Sequence, residues 1–406
     1  MTAARIRSAS PWIVILVVAI VSLNLRGPVV AIAPVVDEVQ SELGIDAGTA
    51  GLLTSLPILC FSLLVPLALL VIRRAGIDAA VTITLVGVGI GTAVRSVDGV
   101  GWAITGTVII GAAITIGNVV VPVVIRRDVP PERVSLTTGV YTSALNVGSA
   151  ITSLGTAPLA EAFGWQLAVL AWALLAIAAL LAWLLYVGPR RALAPAARPA
   201  RDPSAQPPAR ARTWGSLTVI MVGIAFSGQA FAYYATTAWV PTILRDETGL
   251  DTVSAGASAS LFQIAAIIGS LLTPLLLARI RPLGTFVVLG ALWSTVPLGL
   301  MLAPELWTLW GVLGGAAQGG GFTTVFVVIV SFAVSDKHAA ALSGIVQGIG
   351  YAVAATAPAV LGFTHDVTGV WSTPLLLVLG AVLTFTGLGV ASAVRAARAA
   401  RRRGSA

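Results

Sequence analysis

The chain has 406 residues, 57% of them hydrophobic and only 10% charged, with a mean hydropathy of +0.96. Soluble domains carry about 25% charged residues, so no soluble fold of this length could hide so much apolar surface. The net charge of +8 gives no reason to expect a nucleic-acid partner; its placement along the chain reports topology instead.

Taken in order, the chain opens with Arg5 and Arg7 ahead of an apolar run at 11–36. That run is too long for a signal-peptide core and no small-residue cleavage site follows a short one, so it reads as an uncleaved first span. In its middle stands Asn24-Leu25-Arg26-Gly27-Pro28. A charge at that depth costs roughly 2.5 kcal/mol or more and needs a partner, a cavity or a ligand. About 20 apolar residues cross a bilayer. Further runs that meet this length fall at 49–72, 79–96, 100–125, 134–158 and 165–187. After a Pro-, Ala- and Arg-rich stretch come 214–243, 254–278, 283–302, 306–333, 339–361 and 371–394. The fold class expected is an all-α membrane protein of twelve spans. Its parts are a six-helix bundle over 1–188, a polar linker over 189–213 and a second six-helix bundle with a basic tail over 214–406.

The basic residues test this count. With the N-terminus inside, 21 of the 24 fall in inner segments; the others are Arg26, Arg95 and Arg245. A wrong span count would scramble that asymmetry, so both termini are expected on the cytoplasmic side. None of the 16 acidic residues falls deep in a span, although Asp37 and Glu38 stand at the outer end of the first. The single cysteine, Cys60, excludes an intrachain disulfide and is expected to be packing.

Uncharged polar residues supply the other site candidates. Span four carries Thr107, Gly111, Asn118 and Pro122 on one stripe, and span five carries Thr138, Thr142, Asn146, Ser149 and Ser153. Tyr141 lies about 140° round the helix from Asn146, so the two need not face one cavity. Span seven offers Gln229, Tyr233 and Tyr234. Span eight offers Gln263, with Ser260 and Ser270. Span ten has Gln318 amid glycines, and span eleven has Gln347 with Ser343. Each has a structural alternative, because such side chains also hydrogen-bond between helices and small residues let helices pack closely. Arg26 likewise has two roles open: holding a polar or anionic group with its planar fork of donors, or pairing with a carbonyl or a rim carboxylate. Asp37 and Glu38 lie about 16–18 Å further along a helix, too far for direct pairing. Trp102, Trp165, Trp239 and Trp371, near span ends, read as interface anchors.

The two halves repeat. Leu43-Gly44-Ile45-Asp46 is matched by Thr248-Gly249-Leu250-Asp251, Pro66-Leu67-Ala68-Leu69 by Pro274-Leu275-Leu276-Leu277, Arg73 by Arg281 and Trp165 by Trp371, at offsets of 205 to 208. In this register Arg26 corresponds to Tyr233. Six-span halves repeated in parallel are the layout of the major facilitator superfamily.

The run Leu23-Asn24-Leu25-Arg26 through Pro34, with Asp37-Glu38, Leu43-Gly44 and Ala50-Gly51-Leu52-Leu53-Thr54-Ser55-Leu56-Pro57, resembles the cyanate and 2-nitroimidazole transporter family within that superfamily. Tyr233-Tyr234, Ala238-Trp239-Val240-Pro241 and Arg95 are similar to the same family. The resemblance implies a secondary transporter of a small polar or anionic solute in a bacterial cytoplasmic membrane, working by alternating access. It implies that spans one, four, seven and ten line a central cavity. The superfamily's usual loop between spans two and three carries an Asp; here Pro66 to Ile72 has none, which leaves that charge-relay gate without its acid. No cofactor or metal is expected, and the partners expected are the solute and the bilayer around a monomer. Coupling is expected to be absent, as facilitated diffusion, or to run through protons at the rim acids Asp37 or Glu38. Export of aromatic drugs is the alternative transport reading. An embedded enzyme would need a zinc motif, a deep acid pair or an activated nucleophile, and the sequence has none.

Overall fold

A computed structural model describes residues 11–45, 47–193, 217–250, 252–333 and 335–404. Arg5, Arg7, the linker arginines from Arg198 to Arg212, Asp46, Asp251 and the side chain of Asp37 lie outside the described residues. All elements among the described residues are helical.

Among the described residues, nine helices are long and apolar enough to cross a membrane, or ten if Ser55–Leu63 and Val65–Ala75, bent by 60°, form one span. Two more follow from the helices themselves. Ser260–Leu302 holds two spans that meet at Arg281, where the backbone leaves the helical region (φ 57, ψ 170). Val134–Phe163 is a 30-residue helix, rich in Thr, Ser and Gly, that is span five. With these the expected twelve spans are present, in two sets of six. Part of the segment expected to be linker is ordered as a short helix, Pro189–Leu193.

Burial is inverted relative to a soluble protein. Leu63, Leu174, Leu185, Leu302 and Phe363 stand exposed on the outside, while threonines and glycines fill the interior. Many of the buried hydroxyls are satisfied within their own helices. Thr107 donates to the Ala103 carbonyl (2.8 Å), Thr138 to Val134 (2.8 Å) and Ser149 to Leu145 (3.1 Å). Much of the polar striping in spans four and five is therefore local back-bonding.

Span one is not one helix. Pro11–Leu23 ends, three residues turn, and Gly27–Val30 resumes the course. Pro28 has no N–H to give, so the ladder cannot close across Asn24, and Asn24 and Leu25 instead donate three residues back. The break is pinned from two sides. Asn24 Nδ2 donates to the Leu175 carbonyl of span six (3.2 Å), and Thr152 of span five donates to the Gly27 carbonyl (3.0 Å). Gly148 makes the approach possible: a Cβ there would lie 2.1 Å from the Leu23 carbonyl oxygen. Arg26 thus projects from a fixed gap in the helix.

Two expectations are corrected at the span ends. The loop between spans two and three does supply an acid, Asp78, beyond Gly76 rather than before it. Arg127 pairs with Asp78 (2.7 Å) and Asp128 (2.7 Å), Arg191 joins Asp78 (3.2 Å), and Tyr186 donates to Asp128 (3.1 Å). Trp165 and Trp371 are not interface anchors: they are 1% and 4% exposed, and their indole N–H groups donate to Glu42 and to Asp246. Trp239 donates to the Pro358 carbonyl (2.8 Å), whereas Trp102 is exposed as an anchor would be.

Candidate functional site

Arg26 is the charge around which a mid-depth cavity forms. Its Nη1 donates to Asn146 Oδ1 of span five (2.7 Å). Asn146 is held in turn by its own Nδ2, which donates to the Thr142 carbonyl (3.3 Å), so its oxygen is aimed at the guanidinium. From the other set of six spans come two ring faces. The Arg26 Cζ lies 4.9 Å from the ring centre of Tyr233 and 5.5 Å from that of Phe322. No ion pair among the described residues involves Arg26, and the paired acids Asp78, Asp128, Asp336 and Asp366 all belong to the ends of spans.

Magnitudes decide what this lacks. A cation over an aromatic face contributes about 0.5–2 kcal/mol, and a hydrogen bond to a charged group about 1.5–3 kcal/mol. Losing water around an ion costs several kcal/mol even after relaxation, so one amide and two rings roughly meet that cost without surplus. A solute bringing an anionic or strongly accepting group would supply the missing term.

A small cavity lies beside Arg26. Spans one, two, four and five contribute Leu25, Arg26, Val29, Val30, Phe61, Asn118 and Leu145; spans seven and eleven contribute Tyr233, Tyr234 and Tyr351. The rings meet edge to face: Tyr233 with Tyr234 at 4.9 Å and Phe61 with Tyr351 at 5.2 Å. The wall is therefore one cation, one amide, aliphatic side chains and four aromatic rings, which suits a flat solute with one accepting end.

Of the ten candidates named from sequence, Arg26, Asn118, Tyr233 and Tyr234 line this space. Three others stand one layer back and hold a lining residue. Asn146 bonds Arg26, Gln263 Nε2 donates to the Tyr233 hydroxyl (2.9 Å), and Gln347 Nε2 donates to the Asn118 carbonyl (2.9 Å). Gln229 and Gln318 are buried together, Gln229 Nε2 donating to the Gln318 carbonyl (2.9 Å). Tyr141 is fully buried with its ring edge on Phe326 (5.6 Å). The sequence reading missed Tyr351, Phe61 and Phe322. Tyr351 had a signal, since it lies one turn beyond Gln347; Phe61 and Phe322 had none beyond their place in an apolar run.

Hydrogen bonds between described residues join the first six spans to the second at five places. They are Ser62 to Gly348, Gln347 to Asn118, Thr142 with Thr323, Ser143 to Ile267, and Arg126 to Ala333 and Asp336. By their positions in the spans, all five lie level with Arg26 or toward the side that carries the chain termini.

The sequence profile described as Major Facilitator Superfamily matches residues 14–358. The chain is 32% identical to an uncharacterized transporter, YycB, of Bacillus subtilis (strain 168), over 91% of this chain and 90% of that one. It is 32% identical to the 2-nitroimidazole transporter of Escherichia coli (strain K12), over 91% of this chain and 92% of that protein. It is 24% identical to the cyanate transport protein CynX of the same organism, over 91% and 95%.

Proposed function

This chain belongs to the major facilitator superfamily and is a multi-pass membrane transporter, and from that premise we propose that it carries a small, flat solute with an anionic or strongly accepting group. The observation behind this is the setting of Arg26: a half-buried guanidinium with one amide, two ring faces and no carboxylate in ion-pair contact among the described residues. The accepting group would take the donors that Asn146 leaves open. The ring of the solute would lie against Tyr234, Tyr351 and Phe61, with the Asn118 amide at its edge. Between the solutes named for the two characterised relatives, a nitroheteroaromatic uses all of this wall, whereas cyanate would use Arg26 and leave the rings idle.

The mode is alternating access, with the two sets of spans rocking about the cavity. The bonds that join them toward the terminus side belong to a state closed on that side. The protein would sit in a bacterial cytoplasmic membrane as a monomer with both termini inside, divided at 1–188, 189–213 and 214–406. With no acid at depth among the described residues, the carrier would work by facilitated diffusion or through the rim acids Asp37 and Glu38. The aromatic wall also favours a second reading, export of aromatic drugs, in which Arg26 would be incidental.

The test is uptake of 2-nitroimidazole and of cyanate into vesicles holding the purified chain, beside Arg26→Gln. The expected result is saturable 2-nitroimidazole transport, lost in Arg26→Gln while the variant inserts normally. Transport that survives that substitution with an unchanged KM overturns the reading. Equal transport of uncharged aromatics lacking an accepting group would favour the export reading.

A further inference from the structure

Arg95 ends span three, Ile77–Arg95, and takes part in no ion pair among the described residues. It is fully buried, and its Nε, Nη1 and Nη2 all lack a hydrogen-bond partner. No other buried side chain among the described residues leaves three donors open. The stem cannot withdraw. A Cβ on Gly106 would lie 2.3 Å from the Arg95 backbone nitrogen and 2.6 Å from its Cα and Cβ, so spans three and four touch there. One turn back, Gly91 meets span four in the same way, a Cβ falling 2.9 Å from the Gly106 oxygen.

Arginine keeps its charge inside proteins, so deprotonation is no escape. The side chains nearby offer little. Ala103, one turn from Gly106, belongs to an apolar cluster with Ile32, Val35, Leu53 and Trp165. Glu42, at the same end of the bundle, is engaged by Trp165 and Gln166. A buried cation with open donors in an apolar surround calls for a counter-ion. Three N–H-bearing nitrogens in one plane, none with a hydrogen-bond partner, suit a single small, weakly hydrated anion better than an oxyanion that needs donors all round.

We propose that Arg95 holds a small inorganic anion of halide size inside the first six spans, at the end remote from the termini. This site is separate from the Arg26 cavity and does not depend on what the carrier moves.

Thermal unfolding of the purified full chain in detergent tests it, in sodium chloride against sodium gluconate at equal ionic strength. Chloride should raise the midpoint by roughly 2–4 °C at saturation. The rise should persist in Arg26→Gln and vanish in Arg95→Gln. An equal midpoint in both salts, or a chloride rise that survives Arg95→Gln, overturns the proposal. Should Arg95→Gln fail to fold, bromide-soaked crystals of the unaltered protein decide. Anomalous density within hydrogen-bond distance of the Arg95 nitrogens is expected. A carboxylate of the chain in that place overturns the proposal, and so does bromide there without any stabilisation by chloride, which marks an adventitious ion only.

Discussion

Arg26 and Asn146 form the smallest unit whose chemistry can be tested. The amide oxygen holds one nitrogen of the guanidinium and so sets the direction of the others. Removing it in Asn146→Ala loses a hydrogen bond to a charged group, roughly 1.5–3 kcal/mol, so solute affinity should fall about 10- to 100-fold. Asn146→Asp is the sharper experiment. A carboxylate of nearly the same shape would neutralise Arg26 from within and compete with the solute's accepting group. Uptake should then be lost while the protein stays folded, and a KM equal to wild type would sink the role given to Arg26. At the opposite wall, Tyr351 meets Phe61 and Phe226 edge to face. If its ring rather than its hydroxyl holds the solute, Tyr351→Phe should transport within about threefold of wild type and Tyr351→Ala should lose most uptake, since aromatic pairing adds about 0.5–1.5 kcal/mol beyond burial. At this scale the sequence was informative where residues were chemically conspicuous. Arg26 stood out because charge at depth is costly. Phe61 and Phe322 could not, because a phenylalanine facing a cavity and one facing lipid look the same in a hydrophobic run. The amides Gln263 and Gln347 act through lining residues in this arrangement, each giving an N–H, to the Tyr233 hydroxyl and the Asn118 carbonyl.

At the scale of elements, the break in span one and the turns between spans carry the argument. Gly27-Pro28 announced the break in the sequence; its anchoring did not show, because Asn24, Leu175, Thr152 and Gly148 come together only in three dimensions. Gly148→Ala should be severe, since its new methyl would meet the Leu23 carbonyl and backbone cannot yield as a side chain can. We expect it to destabilise the protein by about 2 kcal/mol or more, read as a lower unfolding midpoint with reduced expression. Arg281 is the opposite case. It holds φ 57, ψ 170 between spans eight and nine, where Gly76 holds φ 89, ψ 170 between spans two and three. The offset between them is 205 residues, so the same turn is built from glycine in one half and from a strained arginine in the other. Arg281→Gly should relieve that strain and raise stability by roughly 1 kcal/mol, and a lower midpoint would show that the Arg281 side chain is needed. The sequence match had paired Arg281 with Arg73 instead, because like residues attract an alignment while like backbone angles leave no trace in it.

The repeat is plainer in the whole molecule than in the letters. Gly44 and Gly249 take positive φ (61 and 69) after spans one and seven, and Gly164 and Gly369 take it (81 and 69) before spans six and twelve. Trp165 and Trp371 each donate to an acid at the end of spans one and seven, Glu42 and Asp246. Span number was legible because lipid allows only satisfied backbone, so each crossing must be a long apolar helix. The charge network at the termini was not, because Asp78 lies on the far side of Gly76 from where an acid was sought. Across the two sets of spans, Arg126 reaches both Asp336 and the Ala333 carbonyl. Arg126→Asp should favour the state open on that side, and the pair Arg126→Asp with Asp336→Arg should restore the balance in part. A thiol placed at Ser143, in a chain with Cys60→Ser, should react faster with a thiol reagent in the single variant than in the pair. Equal rates would remove the ion pair from the gate.

The spacing of those five joins has a mechanical consequence. Arg126 lies eight residues beyond Asn118 on one helix, about 12 Å along the axis. If Asn118 and its bond to Gln347 act as a fulcrum, a turn of about 10° moves the far end of a 12 Å arm by about 2 Å. That takes the 2.9 Å contact of Arg126 with Asp336 out of hydrogen-bond range while the bond at the fulcrum has hardly stretched. The seam would peel from its rim inward rather than snap, one contact after another, so no single step has to break them all.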